Sequence, residues 1–180
     1  QTITSVSFAN IHYANPYRAS NGNVYSPFLV SGVLVMYSSD NGDGSWSEVD
    51  AAGNPSETNI NALAATIDGT VIHIVTGDDA TSPDYLYHTF DTDTDEWVIT
   101  DEVIENNVDT DVASTAHSLG IAVRSDGSVV VICVGDSDTI MSVPYSRVDY
   151  FIRSTGGSWG SRVSIDDGGQ TYWYAPVCVL

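Results

Sequence analysis

Apolar residues fall in short runs broken by glycine-containing turns, and the same run, turn, run order recurs along the chain. Residues 26–30 and 33–37 flank Ser31-Gly32, residues 62–67 and 70–75 flank Asp68-Gly69, and residues 119–124 and 128–134 flank Ser125-Asp126-Gly127. Asp-Gly between apolar runs favours the hairpin turns whose twist matches that of the strands. No window holds an apolar stripe of helical period and length, so the pattern predicts an all-β chain. Residues 2–8 predict a short first strand, with Ile3, Val6 and Phe8 only partly keeping period two. Residues 10–23, rich in Asn, Tyr and Gly and holding Asn15-Pro16, predict an irregular loop.

A second hairpin follows each of the first ones, and each carries a tryptophan. It occupies residues 37–49 with Trp46, residues 86–99 with Trp97 and residues 150–163 with Trp159, at intervals of 51 and 62 residues. One supersecondary unit is therefore used repeatedly, on the scale of a propeller blade of about 50 residues. The first hairpin of each unit has near-continuous apolar strands, which means both sheet faces are covered. A sheet packed between two neighbouring sheets meets that condition. The fold expected is an all-β, β-propeller-like array of four-stranded antiparallel blades, with a β-sandwich as the alternative. The approximate units are 24–58, 59–112 and 113–170, and 171–180 starts a fourth, where Ala175-Pro176-Val177 lines up with Ser26-Pro27-Phe28. Propellers close with about four to eight blades. An incomplete propeller is expected, completed by further residues, by a partner or by self-assembly.

The tryptophan hairpins resemble the Asp-box repeats of sialidase-like β-propellers, with the pattern Ser-x-Asp-x-Gly-x-x-Trp. Ser38, Asp40 and Gly42 match in register and Trp46 follows one residue late. Thr89, Asp91 and Trp97 carry the second copy, with Asp93 in the Gly position, and Ser154 and Trp159 carry the third. The resemblance implies turns that shape a blade edge and perform no catalysis. It also implies a place to look for activity, since sialidase-like enzymes hold a substrate carboxylate with three arginines and use a Tyr and Glu pair with an Asp acid. Arg18 in Tyr17-Arg18-Ala19-Ser20 is similar in placement to the first of those arginines, although Ala19-Ser20 replace Ile-Pro. Arg124, Arg153 and Arg162 belong to a turn and an outer hairpin, which does not predict a convergent cluster.

Charge narrows the partners. The chain has 24 Asp plus Glu against 5 Lys plus Arg, a formal net charge of −19. Nucleic acid and anionic membrane surfaces are disfavoured, because phosphate neutralisation needs clustered cations. Three readings of the acidity stand side by side: a solubilising shell, adaptation to high salt, where screening over about 3 Å quenches self-repulsion, and divalent-cation binding by Asp-rich turns. No run of eighteen apolar residues predicts a membrane helix. Gln1 is not an initiator methionine, so the chain is expected to be processed or cut from something longer. Cys133 and Cys178 sit in apolar runs, as buried thiols or as a disulfide.

Candidate chemistry is sparse. Asp91, Asp93 and Asp95, with Glu102 further on, have the acidic spacing of a calcium loop. Glu96 stands where such a loop needs Gly, and the helix-loop-helix version is excluded. The Asp40, Asn41 and Asp43 turn is a second candidate. Tyr13, Tyr17 and Arg18 beside His12, with Tyr172, Trp173 and Tyr174, are the candidate ligand-binding residues, either stacking on sugar faces or packing at the core's edge. The four histidines form no metal spacing, and no nucleophile, phosphate-loop or zinc motif is present. The function expected is a non-catalytic binding or structural module that recognises carbohydrate or a partner protein, extracellular or on a virion surface in saline surroundings. The alternative is a sialidase-like glycoside hydrolase with part of its active site elsewhere.

Overall fold

The computed structural model describes residues 12–78, 85–105, 118–140 and 143–166. They form thirteen strands in three antiparallel sheets. The first sheet contains β1 (His12–Tyr13), β2 (Tyr17–Arg18), β3 (Val24–Val30), β4 (Val33–Ser39) and β5 (Ser47–Glu48). Both β1 and β2 pair with β3, so together they fill one edge position of a four-position sheet. The second sheet is β6 (Ile60–Asp68), β7 (Val71–Asp78), β8 (Tyr85–Asp91) and β9 (Glu96–Glu105), in that order. The third is β10 (Ser118–Val123), β11 (Val129–Ile140), β12 (Val143–Arg153) and β13 (Val163–Asp166), also in chain order.

The sheets are stacked face to face, and the second lies between the other two. Tyr25, Leu29, Leu34 and Met36 of the first sheet pack with Ile72, Ile74, Phe90 and Trp97 of the second. On the opposite face, Val75, Tyr85 and Tyr87 pack with Leu119, Ile121, Val131 and Phe151 of the third. Alternate side chains of one strand point to opposite faces, so β7 sends Ile72 and Ile74 one way and Val75 the other. Residues 85–90 of β8 are all buried, polar His88 and Thr89 included, as expected of the sheet that has neighbours on both faces. Neighbouring sheets come together at their inner strands, β1 beside β6 and β6 beside β10. This is a β-propeller-like array of blades, each built from inner to outer strand in chain order.

The first sheet differs from expectation at its inner edge. Within the segment expected to be a loop, residues 12–23 hold the strands β1 and β2, so the first sheet reaches back to His12, ahead of residue 24. The strand is interrupted at Ala14-Asn15-Pro16, where Pro16 has no backbone donor, and two-residue pieces leave no alternation to read. Strands β3 and β4 are therefore the second and third of their sheet. The strand expected over residues 2–8 and the fourth-unit segment 171–180 lie outside the described residues.

Strand alternation sends the six turns following β2, β4, β6, β8, β10 and β12 to one end of the stack. Contacts between them bear this out: Thr92 N–H donates to Thr70 O at 2.9 Å, and a Cβ on Gly127 would lie 3.6 Å from Thr155 Cγ2. Exposed Asp40, Asp43, Asp68, Asp93, Asp95 and Asp126 make this end acidic. The connection 49–59 leaves from the other end.

Candidate functional site

The broken inner strand of the first sheet is the candidate site. Asn15, Pro16 and Arg18 are exposed there, and Ala14 is buried. The break is held on both sides: Ala14 N–H donates to Pro27 O at 3.3 Å, and Ser26 Oγ donates to Ala14 O at 3.1 Å. Tyr13 pairs with Phe28 and Tyr17 with Tyr25. Half-buried Tyr17 donates its hydroxyl to Ala65 O of β6, and burial pushes its pKa up to about 12. It remains a neutral donor that ties the first sheet to the second.

Arg18 projects beside the turn end. Its Nη1 donates to Gly22 O at 2.8 Å, and a Cβ on Gly42 would lie 3.0 Å from its Nη2. At the other end of the inner edge, Asn61 sits at a register shift in β6 between Ile60 and Ala62. Both polar atoms of its amide are buried and have no hydrogen-bond partner among the described residues. An unmet buried amide costs on the order of 1–3 kcal/mol.

The Asp-rich hairpin places its carboxylates in turn-building contacts. Asp91 Oδ1 accepts from Asp93 N–H at 2.9 Å, Asp93 Oδ1 from Ser20 Oγ at 3.2 Å, and Asp95 Oδ1 from Tyr25 Oη at 2.7 Å. Asn21 Nδ2 adds a bond to Thr92 O at 2.9 Å. The first sheet thus grips the β8–β9 turn of the second. Asp95 itself adopts φ 56°. Among the described residues, no three His, Cys, Asp or Glu side chains are grouped as a metal site.

The tryptophan hairpins work differently from their spacing. In the first, Asp43 organises the turn: its Oδ1 accepts from Ser45 N–H at 2.8 Å, Ser45 Oγ at 2.6 Å and Ser39 Oγ at 3.3 Å. These bonds hold its carboxyl below the usual range, those from Ser45 most of all. Asp40 contributes its carbonyl to Asp43 N–H, Ser38 is a strand residue paired with Ser47, and Gly42 takes φ 68°. In the second, Thr89 is buried on β8. In the third, Ser154 Oγ accepts from Ser158 N–H at 3.2 Å. Trp97 is 8% exposed and packs edge-on to Phe90 at 5.3 Å. Trp159 meets Tyr87 of the preceding sheet edge-on at 5.4 Å.

Two polar networks had no sequence signal. Arg153 of the third sheet grips Glu102 of the second with Nε–Oε1 at 3.0 Å and Nη2–Oε2 at 2.9 Å, and lies 5.1 Å from the centre of the Tyr87 ring. Tyr87 in turn bonds His73 Nδ1 at 2.6 Å. Burial, and secondarily Arg153, lower the His73 pKa against the opposing pull of Asp68. The second network centres on fully buried His88, whose Nδ1 accepts from Asp101 N–H at 3.1 Å while Nε2 lies 2.9 Å from Thr76 Oγ1. Burial brings its pKa down to about 4, with Asp101 opposing. Asp101 Oδ2 also accepts from Ser56 N–H and Oγ at 2.8 and 2.7 Å, anchoring the crossover between the first two sheets. Cys133 is a buried free thiol whose pKa burial raises well above the ordinary value. The side chain of Tyr13, together with Tyr172, Trp173, Tyr174 and Cys178, lies outside the described residues.

No family model matches the chain, and no curated protein matches it. Among solved structures, it is similar to a thermostable family-43 glycoside hydrolase, with a TM-score of 0.52 at 11% identity. The match covers 93% of this chain and 56% of that chain. At that identity the likeness is one of fold, and this chain spans little more than half the length of that protein.

Proposed function

We propose that the chain is a carbohydrate-recognition module of the β-propeller kind, non-catalytic by itself, which works in saline extracellular surroundings or on a virion surface. The observation that carries it is the exposed break at Asn15-Pro16 on the inner edge, flanked by Tyr13, Tyr17 and Arg18 and sharing that edge with the unpaired Asn61 amide. An amide presents donors and an acceptor together, which suits a vicinal diol, and an aromatic ring such as that of Tyr17 at this edge suits a sugar's apolar face. The fold likeness to a glycoside hydrolase supports a carbohydrate ligand. The Asp-box-like hairpins, in this reading, are diverged copies whose work is turn formation.

The same likeness favours a second reading, a glycoside hydrolase whose acid and base are not both in this chain. A glycan array combined with fluorogenic glycoside turnover separates the two. Binding without turnover, weakened roughly tenfold by Asn61→Ala, is the expected result. Turnover by this chain would replace the module with the hydrolase, and neither binding nor turnover would leave a purely structural role.

Calcium enters as a secondary proposal at Asp91, Asp93 and Asp95. One oxygen of each already accepts a hydrogen bond, so a hard cation would be held through the others. Saturating thermal stabilisation at millimolar CaCl2 is its signature, and a flat response removes it.

A further inference from the structure

Strands β8 and β9 lose register between Tyr87 and Thr89, where Thr100 and Asp101 of β9 stand against His88 alone. Two residues against one make a bulge, which re-aims side chains. Asp101 takes φ 54° there, in the left-handed region that few side chains adopt readily. Its carboxylate is turned two ways. Oδ2 accepts from Ser56 N–H and Oγ, while Oδ1 is buried, has no hydrogen-bond partner among the described residues, and lies 3.8 Å from His88 Nδ1.

These contacts fix the tautomer of His88. Asp101 N–H can only donate, so Nδ1 carries no proton and Nε2–H donates to Thr76 Oγ1. A proton on Nδ1 would point at Asp101 N–H, and the two donors would repel. The acceptor within reach is Asp101 Oδ1, and turning it to the ring takes the carboxylate away from Ser56. Among the described residues, the two Ser56 bonds are the hydrogen bonds that tie residues 50–59 to the second sheet, and most of that stretch is exposed.

We infer that His88 and Asp101 form an acid-operated latch: one proton taken from solvent onto His88 Nδ1 exchanges the Asp101 N–H bond for an ion pair with Asp101 Oδ1, releases Ser56 and frees the crossover between the first two sheets. The Asp101 side chain, 26% exposed, gives the proton its way in. Other titratable groups around the ring are engaged elsewhere. Strand β7 turns Ile74 and Thr76 to it and His73 to the opposite face, where His73 bonds Tyr87. Glu102 of β9 pairs with Arg153, and Tyr17 and Tyr25 of the first sheet bond Ala65 O and Asp95. In the crossover, Asp50 is exposed and Glu57 accepts from Thr58 N–H at 3.2 Å. Asp101 is the charge that acts on the ring. Burial brings the His88 pKa down from 6.5 to about 4 against the pull of Asp101, so the latch is closed at neutral pH and opens as pH falls toward 4.

Amide hydrogen exchange of the 180-residue chain, normalised at each pH to the rate of an unstructured peptide, tests this. The Ser56 amide is expected to lose protection by on the order of a hundredfold between pH 6.5 and 4, and to stay less protected than the buried strands β7 and β8 throughout. In His88→Asn an acceptor takes the place of Nδ1 and binds no proton, so the Ser56 loss flattens. Asp101→Asn keeps an acceptor for Ser56 and tolerates the left-handed backbone, but it removes the charge that draws the proton, so the loss moves to lower pH. Ser56 protection that ignores pH, or that falls equally in His88→Asn, overturns the inference. So does an unmoved midpoint in Asp101→Asn, or equal protection of Ser56, β7 and β8 at every pH, which would mean that the chain opens as a whole.

Discussion

Gly32 and His88 are the residues where a single atom decides most. Gly32 turns the β3–β4 hairpin at φ 77°, and a Cβ there would stand 3.1 Å from Asn59 N and 3.2 Å from Asn59 Cα. Those are backbone atoms, and Ile60 N–H bonds Gly32 O at 3.0 Å, so they have little room to move. Gly32→Ala is expected to destabilise by about 1–3 kcal/mol, measured as a lower urea midpoint with an unchanged slope. His88 carries the pH dependence. Its folded pKa of about 4 lies below the ordinary 6.5, so the unfolded chain binds a proton there that the folded chain does not. The stabilisation is complete above pH 6.5 and declines as pH falls toward 4, by on the order of 3 kcal/mol. His73, lowered by burial, adds in the same sense. In His88→Gln, the loss of stability between pH 6.5 and 4 becomes shallower than in the parent; an equal slope would show that His88 is not the group responsible.

Among elements, the strand pairs joining the second and third sheets depend on the Arg153–Glu102 fork. Both side chains are partly buried, at 17% and 26% exposure, and Arg153 also covers Tyr87. Arg153→Lys keeps the charge but loses the two parallel bonds, and a cost of about 1–2 kcal/mol is expected. Arg153→Ala should cost more, because Glu102 is then left unpaired. What the sequence disclosed follows the same division between local and distant. The hairpins at Asp68-Gly69 and at residues 124–128 were legible because their turn chemistry is contained in a few consecutive residues. The double-faced burial of β7 was legible from the near-continuous apolar run at residues 70–75, whereas that of β8 was not, because His88 and Thr89 interrupt its apolar residues. Strands β1 and β2 were not, since a proline-broken edge of two-residue pieces has neither run nor alternation. Asp43, which organises the first tryptophan turn, was passed over for Asp40, since a motif register does not reveal which carboxylate meets Ser45. The Arg153–Glu102 pair was hidden because its members are 51 positions apart and meet only once two sheets are stacked.

For the whole molecule, the order of the three sheets is the central claim, and both the acidic end and the inner-edge site depend on it. Gathering six turns at one end crowds their carboxylates, so melting temperature is expected to climb gradually with NaCl up to molar concentrations as repulsion is screened; a flat salt series would contradict that crowding. The stacking itself is tested most directly by aromatic cross-peaks in a nuclear Overhauser spectrum of the folded chain. Tyr87 and Trp159 belong to different sheets with ring centres 5.4 Å apart, and Tyr25 and Phe90 do likewise at 5.8 Å. Cross-peaks within both pairs, and none between Trp159 and Tyr25, are the result that three successive stacked sheets predict. A Trp159–Tyr25 cross-peak, with the Tyr87–Trp159 peak missing, would mean that the first and third sheets face each other and would contradict the account.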